Sequence, residues 1–224
     1  IAMVPAGTSP GNYEPTPMEM EAFSKAKAYF TIGVPTEKAN ILPSAKDMAV
    51  VDCAAIVAEQ YPDRQFPSGS RDPHIWLSPK RTIAMVNAMA KKLGELDPDN
   101  AATFKGNAEA YVAQLTELDQ YMAGAFDGMR KKEFFAYHPA YGYIADDYGL
   151  TMYALEENGK EATPQKLAEM IDLAKAEGVK IIFSQAEIDS KQPDAFAEEI
   201  GGEKVILAPL SEDYIPNLKS MADA

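Results

Sequence analysis

The stretch AATFKGNAEAYVAQLTELDQYMAGAFDGM, residues 101–129, holds no proline and repeats apolar side chains at helical spacing. Phe104, Tyr111, Leu115, Leu118 and Met122 mark one face of the helix this predicts. At ~1.5 Å per residue that helix is about 40 Å long, well beyond the usual globular length, and suited to joining two lobes. Beyond Arg130-Lys131-Lys132 the pattern turns to alternation. Strands are predicted over Glu133–His138, Leu150–Leu155, Val179–Ser184 and Lys204–Leu207. Helices are predicted over Tyr141–Tyr148, Pro164–Glu177, Gln192–Ile200 and from about Asp213. Short apolar strands alternating with helices specify an α/β fold with a mostly parallel sheet covered on both faces. Gly149, Gly178 and Gly201 each stand where a helix needs a left-handed residue to end.

Ahead of the long helix the signals are more broken. Ile1–Val4 reads as a strand, followed by a loop from Pro5 to Pro17 that contains four prolines. Thr16, Pro17 and Glu19 form a capping box, with Met18, Phe23 and Ala26 as the apolar stripe of the helix it opens. Ala28–Gly33 and Met48–Asp52 read as strands, Glu59–Arg71 as a mobile surface loop, and Pro79–Leu93 as a helix with Ile83, Val86, Met89 and Leu93 on one side. Two lobes result, over residues 1–100 and 131–224, with the helix at 101–130 between them.

Composition narrows the function classes. The 224 residues carry 21 Lys+Arg against 34 Asp+Glu, a net charge of −13, which disfavours nucleic-acid partners. The single cysteine, Cys53, excludes an internal disulfide and a multi-cysteine metal site; it reads as a small buried hydrophobe. The sequence holds no Gly-x-Ser-x-Gly elbow, no phosphate-binding loop and no His-x-x-x-His pair.

Only two histidines exist, His74 and His138. Both are expected at strand-to-loop junctions, and in open α/β sheets ligands bind beyond the carboxyl ends of strands. Neutral imidazole is the commonest protein ligand of zinc-like ions, so both are candidate metal ligands. Trp76, Tyr137, Tyr141 and Tyr143 form either a ligand wall or packing against helices. Glu156–Glu161 is read as a solvated polar turn, Gln185 or Glu187 as a side chain facing a cleft, and Asp213 as a helix cap.

These residues carry a resemblance. Asp72-Pro73-His74-Ile75-Trp76-Leu77-Ser78-Pro79 resembles the DPHxWLxP motif of TroA/ZnuA-type substrate-binding proteins, the zinc- and manganese-capturing components of ABC importers. Ser9–Pro17 is similar to the family's SPHxYEPTP, His138–Tyr143 to HPAxGYF, and Tyr148-Gly149-Leu150 to YGL. Asn158–Glu161, Phe183–Lys191 and Pro209–Leu218 also fit. The resemblance implies two α/β lobes joined by one long helix, a first strand and helix ahead of Ile1, a removed targeting or anchoring segment, and a periplasmic or extracytoplasmic location. It implies Zn²⁺ or Mn²⁺ as transported ligand, no organic cofactor, an ABC permease as partner, a monomer, and no enzymatic activity. Of the family's four metal-binding side chains, His74 from the N-terminal lobe and His138 from the C-terminal lobe carry over. Gly11 and Ala208 replace the other two. Asn12, Glu14, Glu187, Asp213 or water are candidate replacements. An eroded site would instead suit a non-metal small ligand or a metal chelate, and an open zinc site would suit a hydrolase. No general base at a recognisable spacing supports the hydrolase.

Overall fold

The computed structural model describes residues 1–5, 7–157 and 159–224. Ala6 of the expected proline-rich loop and Asn158 of the expected polar turn lie outside them. Two compact units divide the chain, Ile1–Asp63 with Pro79–Glu117, and Arg64–Ser78 with Leu118–Ala224.

In the first unit, helix α1 (Pro17–Ser24) opens on the expected capping box, with Thr16 and Glu19 each satisfying the other's backbone amide. Strands β1 (Ala28–Thr31) and β2 (Ala49–Asp52) pair in parallel, Ala28 against Ala49. Helix α2 (Cys53–Ala58) follows β2 directly, with the Asp52 side chain accepting from the Ala55 amide as its cap. Helix α3 covers Pro79–Leu96. Ile1–Val4 forms no strand; its apolar character serves Met3, which packs with Phe23 and Ile41 in the core. Met18 is 78% exposed, because a helix this short buries only Phe23. The fully buried positions of α3 are Pro79, Arg81, Thr82, Ala84 and Met85 in its first two turns, while the expected Ile83, Val86, Met89 and Leu93 are half-buried. The Arg81 guanidinium donates to the Pro62 carbonyl and lies over the Tyr61 ring. Cys53 is fully buried, and burial, then the nearby Asp52 and Glu37 carboxylates, pushes its thiol up to about 11. It is a core hydrophobe, as expected.

Helix α4 (Ala101–Asp127) begins in the first unit and ends in the second. Leu115, Leu118 and Met122 of its predicted face are wholly buried. The second unit holds β3 (Glu133–Ala136), α5 (Gly142–Tyr148), β4 (Thr151–Ala154), α6 (Pro164–Glu177), β5 (Ile181–Gln185), α7 (Gln192–Ile200), β6 (Glu203–Leu207) and α8 (Tyr214–Asp223). The strands form one parallel sheet in the order β4-β3-β5-β6. Phe135, Ile182, Leu155 and Tyr137 of the strands and their ends pack with Phe196 and Ile200 of α7 and Met170 and Ala174 of α6. Gly149, Gly178 and Gly201 end α5, α6 and α7 with φ of 67°, 63° and 60°, the left-handed caps expected. Asp213 flanks α8 but its side chain does not cap it.

Gly202 is required for a different reason. A Cβ there would lie 2.0 Å from the Lys180 carbonyl oxygen, which accepts the Glu203 amide that starts the β5–β6 ladder. Backbone cannot yield as a flexible side chain can. Gly202→Ala is expected to cost about 2–3 kcal/mol, read as a lower urea midpoint. Gly124→Ala, on the exposed face of α4 where a Cβ meets nothing within 4 Å, is the control and should be neutral or stabilising. Equal midpoints for both variants would refute the steric account.

Candidate metal centre

His138 stands two residues past the end of β3, and Glu156 two residues past the end of β4. The parallel register explains their meeting. Ala136 pairs with Ala154, and carrying the same offset two residues further sets His138 beside Glu156. Backbone bonds from Leu155 to Ala136 and from Glu156 to Tyr137 continue past the strands and hold the two chains together there. The Glu156 carboxylate lies 2.9 Å from His138 Nδ1, and its other oxygen accepts the Gly159 amide. Glu156, expected in a solvated turn, is therefore a partner of the imidazole, with a side chain only 11% exposed.

His74 arrives differently. It follows no strand; it precedes a single 3-10 turn, Ile75–Leu77. The preceding stretch, expected as a mobile surface loop, is closed by an antiparallel bridge between Gln65 and Arg71. Asp72 is fully buried and its Oδ1 accepts both the His74 amide (3.0 Å) and His74 Nδ1 (2.7 Å). The segment is fastened within the second unit by several bonds. Trp76 Nε1 donates to the Pro209 carbonyl, Tyr214 donates to the Trp76 carbonyl, Tyr143 donates to the Asp72 carbonyl, and Ser78 donates to Asp147.

The two histidines meet through their far nitrogens, Nε2 to Nε2 at 3.2 Å, with the rings edge to face. Each Nδ1 faces a carboxylate, which accepts its proton and leaves Nε2 as a bare lone pair. Two lone pairs at that separation repel unless a proton or cation lies between them. Two nitrogens bound tetrahedrally at ~2.0–2.1 Å from a zinc ion would stand about 3.3 Å apart. His74 is pushed below the ordinary imidazole range, by burial first and by the neighbouring His138 among the smaller causes, against the opposing pull of Asp72. It is thus held in the neutral form that binds metal.

Among the described residues, no third His, Cys, Asp or Glu joins these two in a group able to hold a metal ion. Ala208 follows β6 and its carbonyl accepts from Asn217. Gly11 lies in an exposed turn of the first unit, its amide bonded to Ser9. Of the aromatic set, Trp76 and Tyr143 spend their polar atoms on internal bonds, and Tyr137, Tyr141 and Tyr143 are buried. Packing is what these rings mainly do.

A parallel α/β unit with paired, carboxylate-backed imidazoles at the carboxyl edge of its sheet belongs to the class of substrate-binding proteins with the TroA-like fold. The chain is a member of the ZnuA family, described as zinc-uptake complex component A, periplasmic, whose profile matches residues 1–224. That family is a transport component, not an enzyme. The zinc-binding protein AdcA of Streptococcus pyogenes is 27% identical over 233 residues, covering 93% of this chain and 45% of that one. The high-affinity zinc uptake system protein ZnuA of Bacillus subtilis is 27% identical, covering 93% and 70%. The chain thus spans less than half the length of the streptococcal relative. A crystal structure of ZnuA superposes with a TM-score of 0.90 at 33% identity, covering 98% of this chain and 86% of that one. The periplasmic zinc-binding protein TroA of Treponema pallidum, at 20% identity, TM-score 0.86 and coverage of 97% and 86%, shares the fold. No helix among the described residues is long and apolar enough to cross a membrane.

Proposed function

We propose that this protein captures a zinc ion outside the cytoplasm, on the facing Nε2 atoms of His74 and His138, and passes it as a monomer to an ABC permease. A segment ahead of Ile1 would carry the targeting signal and any membrane anchor. The observation that carries this reading is the 3.2 Å approach of two imidazole nitrogens whose Nδ1 partners are both carboxylates. Water or oxygen donors complete the coordination. The chemistry is ligand exchange, so two protein nitrogens and exchangeable remaining positions suit an ion that must be released. An organic ligand is less well served, since the aromatic wall it would need is occupied by internal packing and bonding.

An imidazole pair favours zinc over manganese, which lies at the weak end of the divalent series and prefers carboxylate and water oxygens. Zinc should bind about a hundredfold or more tighter than manganese. The measurement is calorimetry on protein purified without a metal-affinity tag and stripped with chelator, after quantifying the metal it carried. Equal affinities, or no zinc bound at all, would overturn the assignment.

The pH dependence follows from the depressed His74. Its neutral form contributes stability that is fully present above the unfolded imidazole value of ~6.5 and is lost as pH falls through the lower folded value. Zinc affinity through this ligand should therefore stay nearly flat from pH 8 down through ~6.5 and decline only at lower pH, where protons take the depressed imidazole. An affinity that rises on acidification would exclude imidazole ligation.

A further inference from the structure

We propose that Arg64 is a positioning residue for zinc capture, acting through Asp72, and that Gly142 is the clearance which lets it do so; this rests on His74 being a zinc ligand. The Asp72 carboxylate is wholly buried. Its Oδ1 is occupied by His74, while Oδ2 has no hydrogen bond among the described residues. The charge that faces Oδ2 is the Arg64 guanidinium, with Nε at 3.4 Å. The same guanidinium pairs with Asp146 through Nη1 at 2.7 Å, which fixes its far end. The backbone is locked to match. The Asp72 amide donates to the Arg64 carbonyl, the Arg64 amide donates to the Tyr143 hydroxyl, and that hydroxyl donates to the Asp72 carbonyl.

The chain of effects runs Arg64, Asp72, His74. Arg64 faces the carboxylate oxygen that His74 does not occupy, so it fixes the rotation of the carboxylate and keeps Oδ1 aimed at the ring. An acceptor held there keeps the His74 proton on Nδ1 and leaves Nε2 bare for the metal. Without Arg64 the carboxylate is free to turn away from Nδ1, and the ring is free to take the other tautomer.

Gly142 makes this possible. A Cβ at that position would lie 2.1 Å from Arg64 Nε, 2.6 Å from Cδ and 2.8 Å from Cζ. The glycine of the His138–Tyr143 motif is therefore a passage for the arginine side chain. Alanine there displaces Arg64 and leaves α5 otherwise intact.

The test uses Arg64→Ala, Gly142→Ala and the double variant of the full chain, each checked for native near-ultraviolet dichroism. Zinc titration is read beside the imidazole ¹⁵N spectrum of the metal-free protein, which reports the ring tautomer and which a merely structural role would not move. Each single variant should bind zinc ten- to a hundredfold more weakly, and His74 should lose its pure Nδ1–H signature. The double variant should be no worse than Arg64→Ala, because both changes remove one interaction. Should Arg64→Ala fail the dichroism check, Gly142→Ala alone decides. Unchanged affinity with an unchanged His74 tautomer overturns the proposal. If the wild type itself binds no zinc, the functional reading falls, while the tautomer still decides whether Arg64 positions His74.

Discussion

Replacing His138 with alanine is expected to weaken zinc binding by about a thousandfold or more, since the ion loses one of the two protein nitrogens that face it. His138 is the better of the two histidines for this measurement. It is half-buried, so its removal leaves Glu156 with the Gly159 amide and with access to water, and the fold should lose less than about 1 kcal/mol. His74→Ala should weaken zinc equally, but it also strips the fully buried Asp72 of its ring partner and should cost a further ~1–3 kcal/mol of stability. The two effects separate in a thermal melt. Zinc at a hundred times the wild-type Kd should stabilise the wild type by about 2.7 kcal/mol and leave both variants unmoved. The metal-free His138→Ala protein should melt where the metal-free wild type does. Full zinc affinity in either variant would remove the paired imidazoles from the site.

Glu37→Ala should be the most damaging single change to the first unit, at about 3–5 kcal/mol. Its carboxylate is buried and accepts from the Tyr29 hydroxyl (2.9 Å), the Thr31 hydroxyl (2.6 Å) and the amides of Ile32, Gly33 and Val34. It closes the turn that follows β1 and satisfies every amide there. Alanine leaves these donors facing apolar neighbours with no acceptor. Burial and the adjacent Glu37 charge also raise the Tyr29 phenol far above its usual range, so the hydroxyl stays a donor at any physiological pH. Glu37→Gln preserves the shape but turns one acceptor into a donor that confronts two others; it should cost roughly half as much. Urea unfolding followed by far-ultraviolet dichroism distinguishes these. A Glu37→Ala midpoint within error of the wild type would show that water reaches the turn.

Local patterns carried the fold well. The long helix, the Thr16–Glu19 capping box and the three glycine caps are each set within a few residues, and each stands where its pattern places it. Where periodicity misled, a tertiary contact had taken over. Met3 is apolar to fill a core, not to pair as a strand. The two imidazoles were legible because nothing else in the chain offers nitrogen ligands, but their partners were less so. Asp72 left a local clue, since an aspartate two residues before another often accepts that residue's amide. Glu156 left none: only the pairing of β3 with β4 brings it to His138, and a run of polar residues around a glycine looks like solvent-facing turn. Arg64 was hidden for a related reason, in a polar stretch whose punctuation by proline and glycine marks a turn but not what the turn is fastened to. Glu37 shows the same limit, because five donors spread over strand and turn converge on it only after folding.

The pairing of His138 with Glu156 makes the sheet a ruler for the site. What sets the distance between ring and carboxylate is the step along two adjacent strands, not the length of chain that joins them. The length of the connection between Pro139 and Leu150 can therefore change without altering this pair, provided β4 returns in the same register; what must stay are the residues within it that hold Arg64 and the His74 segment, Gly142, Tyr143, Asp146 and Asp147. A single-residue slip within β4 would put Glu156 on the opposite face of the sheet and break the site at once. Lineages carrying this fold should accordingly diversify by lengthening and shortening connections, and keep the strand ends as the fixed frame to which a cargo-binding residue can be added or from which one can be withdrawn.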